Sequence, residues 1–125
     1  VPGPVLEIGQ PAAKWGLALM SSQQRFSTLS PSEPVVCSVR AYQAGALVNP
    51  TSGTVQFAFA SSPLLPPSTW YAGSWDVNEI GDYVAQCEIG SSGVVALAAG
   101  VWWVWVQVTL SPVDVIRQIG SIVME

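Results

Sequence analysis

Cys37 and Cys87 are the chain's strongest nucleophiles, and there is no histidine anywhere to activate them. A thiol becomes reactive when a base or a positive neighbour lowers its pKa. Without histidine, Ser-His-Asp and Cys-His catalysis are excluded, as is a His-ligated metal site. Both cysteines fall on inward faces of segments with strand alternation, where burial opposes ionisation. Asp76, Glu79, Asp82 and Glu88 could supply paired carboxylates, the chemistry of a glycosidase. They sit in turns or on a solvated strand face, which does not suit that role. Trp70, Tyr71 and Trp75, followed by Asp76, Asn78 and Glu79, hold the ingredients of a sugar-stacking platform. A strand packing its aromatics into a core, with a polar turn after it, explains them better. There is no calcium-loop spacing and no glycine-rich phosphate loop, and Gly90-Ser91-Ser92-Gly93 reads as a hairpin turn. The expectation is a protein with no enzymatic activity, no cofactor and no metal.

The most informative aromatic cluster is Trp102, Trp103 and Trp105. On a strand, Trp102, Val104, Val106, Val108 and Leu110 share one wholly apolar face. Val101, Trp103, Trp105, Gln107 and Thr109 share the other. In a two-sheet protein the first face is core, and Trp103 and Trp105 lie on the outside of their sheet. Their cover is then the Pro-rich loop at 63–67, the N-terminal segment, or another molecule. A tryptophan covered by another molecule is a typical interface anchor.

These residues need elements to hold them, and composition says which. Among 125 residues there are eight acidic and four basic ones, a net charge of −4, with 50% apolar residues and six tryptophans. Such a chain has enough apolar surface to fold and is not disordered. Four scattered cations cannot track a phosphate backbone, so nucleic acid is not an expected partner. A surface this poor in charge suits a protein that ends up packed against others. The uncharged stretch between Glu88 and Asp114 is long enough for a membrane span. Its Val and Trp content, Gly100 and Gln107, and its lack of flanking Lys or Arg argue for strands instead, and no membrane partner is expected. The N-terminus has no basic region and no long apolar run, so no signal peptide is expected.

Ten prolines and eleven glycines punctuate the chain, leaving ordered runs of about five to ten residues, as in all-β sandwiches and barrels. Strands are expected at 5–8, 14–20, 35–42, 54–60, 70–75 and 82–89. A further pair of strands should flank a turn at 98–100, and a closing strand at 120–124. Val55, Phe57 and Phe59 share one face, as do Val35, Cys37, Val39 and Ala41. The expected fold is an all-β, immunoglobulin-like, two-sheet antiparallel β-sandwich of seven to nine short strands. The expected organisation is an extended N-terminal arm over residues 1–12 and one sandwich domain over 13–125. Cys37 and Cys87 resemble the inter-sheet cysteine pair of immunoglobulin domains, although no Trp follows Cys37 closely and Tyr83 is misplaced for a tyrosine corner. Two buried free thiols are the equal alternative.

A family resemblance rests on residues 53–59, 70–76, 81–90, 97–108 and 111–120. Gly100-Val101-Trp102-Trp103-Val104-Trp105-Val106 matches a G-x-Y-x-V-W-V strand, with Trp102 in the Tyr place. Ser111-Pro112-Val113-Asp114 departs from the D-x-P-E turn that follows it in the family. The chain thereby resembles small immunoglobulin-like virion proteins of tailed actinobacterial phages, over about residues 46–124. The resemblance implies a non-enzymatic structural protein, a capsid decoration or cement protein bound outside the shell of major capsid protein. It also implies location in the virion after assembly in the host cytoplasm. Partners would be the major capsid protein or other virion proteins, with a homo-oligomer as a further expectation. Contact residues would be Trp103 and Trp105, the loop carrying Leu64, Leu65 and Pro66, and the N-terminal arm. A neck or tail component is the alternative in the same class. A carbohydrate-binding or adhesion module, with surface glycans as partner, is the alternative of another class.

Overall fold

The computed structural model describes residues 5–9, 11–13, 24–64, 67–77 and 83–125. Eleven strands run in order: β1 (Val5–Ile8), β2 (Ala12–Ala13), β3 (Gln24–Phe26), β4 (Glu33–Gln43), β5 (Ala46–Val48), β6 (Thr54–Ala60), β7 (Tyr71–Ala72), β8 (Ser74–Val77), β9 (Tyr83–Ile89), β10 (Gly100–Leu110) and β11 (Val113–Met124). They form two mostly antiparallel sheets packed as a β-sandwich. The first has the order β1-β4-β9-β8, with β2 and β5 also paired to β4. The second has the order β3-β11-β10-β6-β7.

The period-two pattern decides which faces meet. Val35, Cys37, Val39 and Ala41 of β4 and Ala85, Cys87 and Ile89 of β9 point inward from the first sheet, all buried. Val55 and Phe57 of β6 and Val104, Val106 and Val108 of β10 do so from the second. Burial of each Val, Ile or Phe among them contributes roughly 1.5–3 kcal/mol.

Several expectations need correction. The described residues hold eleven strands rather than seven to nine, and three of these are long: β4 and β10 have 11 residues each and β11 has 12. The closing strand starts at Val113, not Gly120, because β11 pairs along the whole length of β10. Residues 70–75 are not one strand. β7 pairs with β6 in the second sheet, and β8 pairs with β9 in the first. The crossing falls at Gly73, where a Cβ would lie 3.0 Å from the Phe57 ring and from the Gln86 carbonyl oxygen. Residues 90–93 do turn, with Gly93 N–H donating to Gly90 O at 3.0 Å, but no hairpin strand follows. The chain makes one isolated bridge, Val95 to Ile89, before entering β10 on the other sheet. The expected strand over 14–20 lies outside the described residues.

Within the expected 1–12 arm, β1 pairs antiparallel with β4, Val5 opposite Tyr42 and Ile8 opposite Val39. Leu6 enters the core. Pro11 is buried, and its ring lies where a side chain on Gly120 would be: a Cβ there would meet Pro11 Cδ at 3.0 Å. The described part of the arm is therefore extended but fastened to the sandwich.

Candidate interaction face

The outward face of the second sheet gathers the sequence's candidate residues. β6 and β10 contain no charged side chain. On this face Trp103 lies between Ala60 and Ser121, and Trp105 between Ala58 and Gln118. Below them Gln107 and Thr109 converge on Asp114. Gln107 Nε2 donates to both carboxylate oxygens, at 3.0 and 3.1 Å, and Thr109 Oγ1 donates to Oδ1 at 3.0 Å. The face is thus apolar at the start of β10 and hydrogen-bonded at its end.

The two tryptophans are not equivalent. Both are half-buried. Trp105 Nε1 is fully enclosed and has no hydrogen-bond partner among the described residues. Its neighbour Ala58 points outward yet is fully buried. Gln118 Nε2 donates to Pro63 O at 3.0 Å, which fastens the loop after β6 against this face beside Trp105. The chain's own loop therefore lies beside that region. Leu64, next in the loop, is 86% exposed. Leu65 and Pro66 lie outside the described residues. Val101 and Ile116, at 46% and 47% exposure, extend the same face. Sequence reading missed Ile116, because only the register, Gln107 opposite Ile116, assigns its side.

A bulge sets that register. Val104 pairs with Gly120 but Trp105 pairs with Gln118. The extra residue, Ile119, is buried. A bulge inserts one unpaired residue and resets which side chains share a face.

The cysteines depart from the inter-sheet pair. β4 and β9 are neighbours in one sheet, with Cys37 opposite Ala85 and Cys87 opposite Val35. They are diagonal neighbours, about 7 Å apart in such a register, against about 4 Å between Cβ atoms in a disulfide. Both are free and buried. Burial pushes the Cys37 thiol up to about 12. Burial, then the negative charge of Glu88, pushes Cys87 up to about 12. Neither is a nucleophile near neutral pH.

The aromatic platform of residues 70–75 is not assembled. Tyr71 and Trp75 belong to different sheets, and Trp75 packs against the core with Nε1 donating to Gly53 O at 3.0 Å. Of the four acids weighed as a pair, Glu79 and Asp82 lie outside the described residues. Glu88 accepts from Ser32 Oγ at 2.6 Å. Among the described residues no group of three His, Cys, Asp or Glu comes together, and no helix is long and apolar enough to cross a membrane. In comparison with known proteins, no family model matches the chain and no curated protein matches it significantly.

Proposed function

We propose that the chain is an immunoglobulin-like, non-enzymatic structural protein of a tailed-phage virion, attached to the outside of the capsid shell. The observation that carries this reading is the outward face of β6 and β10. Its central strands hold no charge, it presents Val101 and Trp103, and the exposed Leu64 follows Pro63 in the loop fastened to its Gln118. An apolar face of this kind suits burial against a large, repeated partner surface. The family resemblance of residues 46–124 supplies the identity of that partner, the major capsid protein.

The immunoglobulin-like subclass is supported by strand order. In that fold the first, second, fifth and fourth strands make one sheet, and the third, sixth and seventh the other. With β1 and β3 as two halves of a divided first strand, β1-β4-β9-β8 and β3-β11-β10-β6 follow this order. β3 runs parallel to the final strand, and β1 runs antiparallel to β4. Trp102 supplies a further parallel. An immunoglobulin tyrosine corner bonds its side chain to backbone a few residues upstream, near the start of the sixth strand. Trp102 Nε1 donates to Ala98 O at 2.8 Å, from near the start of β10. The free Cys37 and Cys87 are the departure from that pattern.

The test is labelling of virions from the source phage with an antibody to the chain, followed by binding of the purified protein to emptied heads. Label over the head, and binding weakened by Trp103→Lys, is expected. Label confined to the neck or tail replaces the capsid role with the alternative one. Absence from purified virions overturns the virion reading altogether.

A further inference from the structure

A cleft of about 310 Å³ opens at the end of the sandwich beside Trp102, close to the lower limit of about 300 Å³ for small-ligand pockets. Its walls carry three aromatic side chains, Phe59 from β6, Tyr71 from β7 and Trp102 from β10. All three are half-buried, whereas the neighbouring inward residues Phe57 and Val104 are fully enclosed. Ala60, Pro67 and the hydroxyl residues Ser61, Ser62, Ser68 and Thr69 complete the lining, and among the described residues no charged one takes part. The Phe59 and Tyr71 ring centroids are 6.4 Å apart and their planes are inclined by 40°, so the rings form a wedge rather than a flat shelf. The indole N–H of Trp102 is already committed to Ala98 O. Its ring therefore offers carbon surface to a ligand.

We propose that this cleft binds one neutral pyranose residue of a glycan. A pyranose has an apolar C–H face and a rim of hydroxyls. The electron-rich faces of Tyr71 and Trp102 accept the first. The hydroxyls of Ser61, Ser68 and Thr69 can each donate and accept, which matches the second. A charged sugar would lose hydration and meet no counter-charge in the lining. A proline-rich peptide would also use the rings, and its carbonyls would accept from the hydroxyls, but its prolines supply no donors in return. Capsid attachment is not needed for it: the three rings are on the inward side of the sheet, although the cleft shares Ala60 and the loop after β6 with the outward face.

The decisive experiment titrates the full isotope-labelled chain with glucose, galactose, mannose and N-acetylglucosamine, following backbone amide shifts. Saturable shifts confined to the cleft residues are expected with at least one sugar, with a Kd on the order of 1–10 mM for so small a contact. They should be unchanged by salt, because no charged residue lines the site among the described residues. Tyr71→Ala should weaken binding about tenfold or more. The exposed Leu29→Ser variant should leave it unchanged. If Tyr71→Ala fails to fold, the rim variant Ser68→Ala with Thr69→Ala should still weaken binding severalfold. No saturable shift with any sugar overturns the proposal. So do shifts away from the cleft, an unaffected rim variant, or a cleft that responds to a proline-rich peptide alone.

Discussion

A buried thiol is a proton held in place by its surroundings. Cys37 and Cys87 are both raised from 9.0 to about 12. Between those values the unfolded chain releases protons that the folded chain keeps. Their contribution to stability is therefore complete below pH 9.0 and is lost as pH rises towards about 12. Thermal melts across that range should show a falling Tm, and Cys37→Ala with Cys87→Ala should flatten the slope. Native protein at pH 8 should resist thiol alkylation, and unfolding should expose both groups. The tryptophans separate in the same way. Trp102→Phe removes a hydrogen bond at 2.8 Å and should cost about 0.5–1.5 kcal/mol beyond the lost area. Trp105→Phe removes an enclosed N–H that has no partner among the described residues, so its polar cost should be near zero. Denaturant unfolding of the two variants checks the contrast.

Two turns show how local chemistry positions the strands. β4 and β5 are joined by Ala44-Gly45, with φ of 52° and 83°. Two positive φ values mark a two-residue turn that favours Asn-Gly. Alanine pays about 1 kcal/mol or more there. Ala44→Asn should raise the unfolding free energy by about 0.5–1 kcal/mol, readable as a higher urea midpoint with unchanged slope. At the β11 bulge Gly120 has φ of +142° and lies against Pro11. Gly120→Ala should cost about 1–3 kcal/mol in backbone strain, and should also loosen the N-terminal segment. Faster amide exchange at Leu6 and Ile8 would report that loosening. β4 and β10 were legible in the sequence because each alternates cleanly. β7 and β8 were not. The six aromatic and small residues at 70–75 read as one strand, and only Gly73, pressed against Phe57, reveals a change of sheet.

At the scale of the whole molecule the unusual property is how little charge covers the surface. With a net charge of −4 and twelve charged residues, electrostatic repulsion between copies is weak. Exposed Leu64 and half-buried Trp103 add apolar area on and beside one face. Mass measured in solution should show a defined oligomer, or a monomer that self-associates as concentration rises. Acrylamide should quench Trp103 more than Trp105, since the loop at Pro63 lies beside the latter. Single Trp103→Phe and Trp105→Phe variants assign the quenched fraction. A monomer at every concentration with Trp103 fully protected would remove the face as an interface.

Local patterning along the chain was enough to reveal the all-β class and the inward residues. Alternation in β4, β6, β9 and β10 is a local property of the chain, and burial follows from it whatever the partner strands are. Composition also determined what chemistry is missing, since no arrangement can supply a histidine that is not there. Which strands share a sheet came from long-range pairing alone. That choice put Cys37 and Cys87 side by side instead of across the core, and it parted Tyr71 from Trp75. It also brought Tyr71 together with Phe59 and Trp102, and it laid the chain's own loop beside Trp105. Pairing between distant strands depends on crossings and on the β11 bulge, and a single inserted residue there resets every contact beyond it.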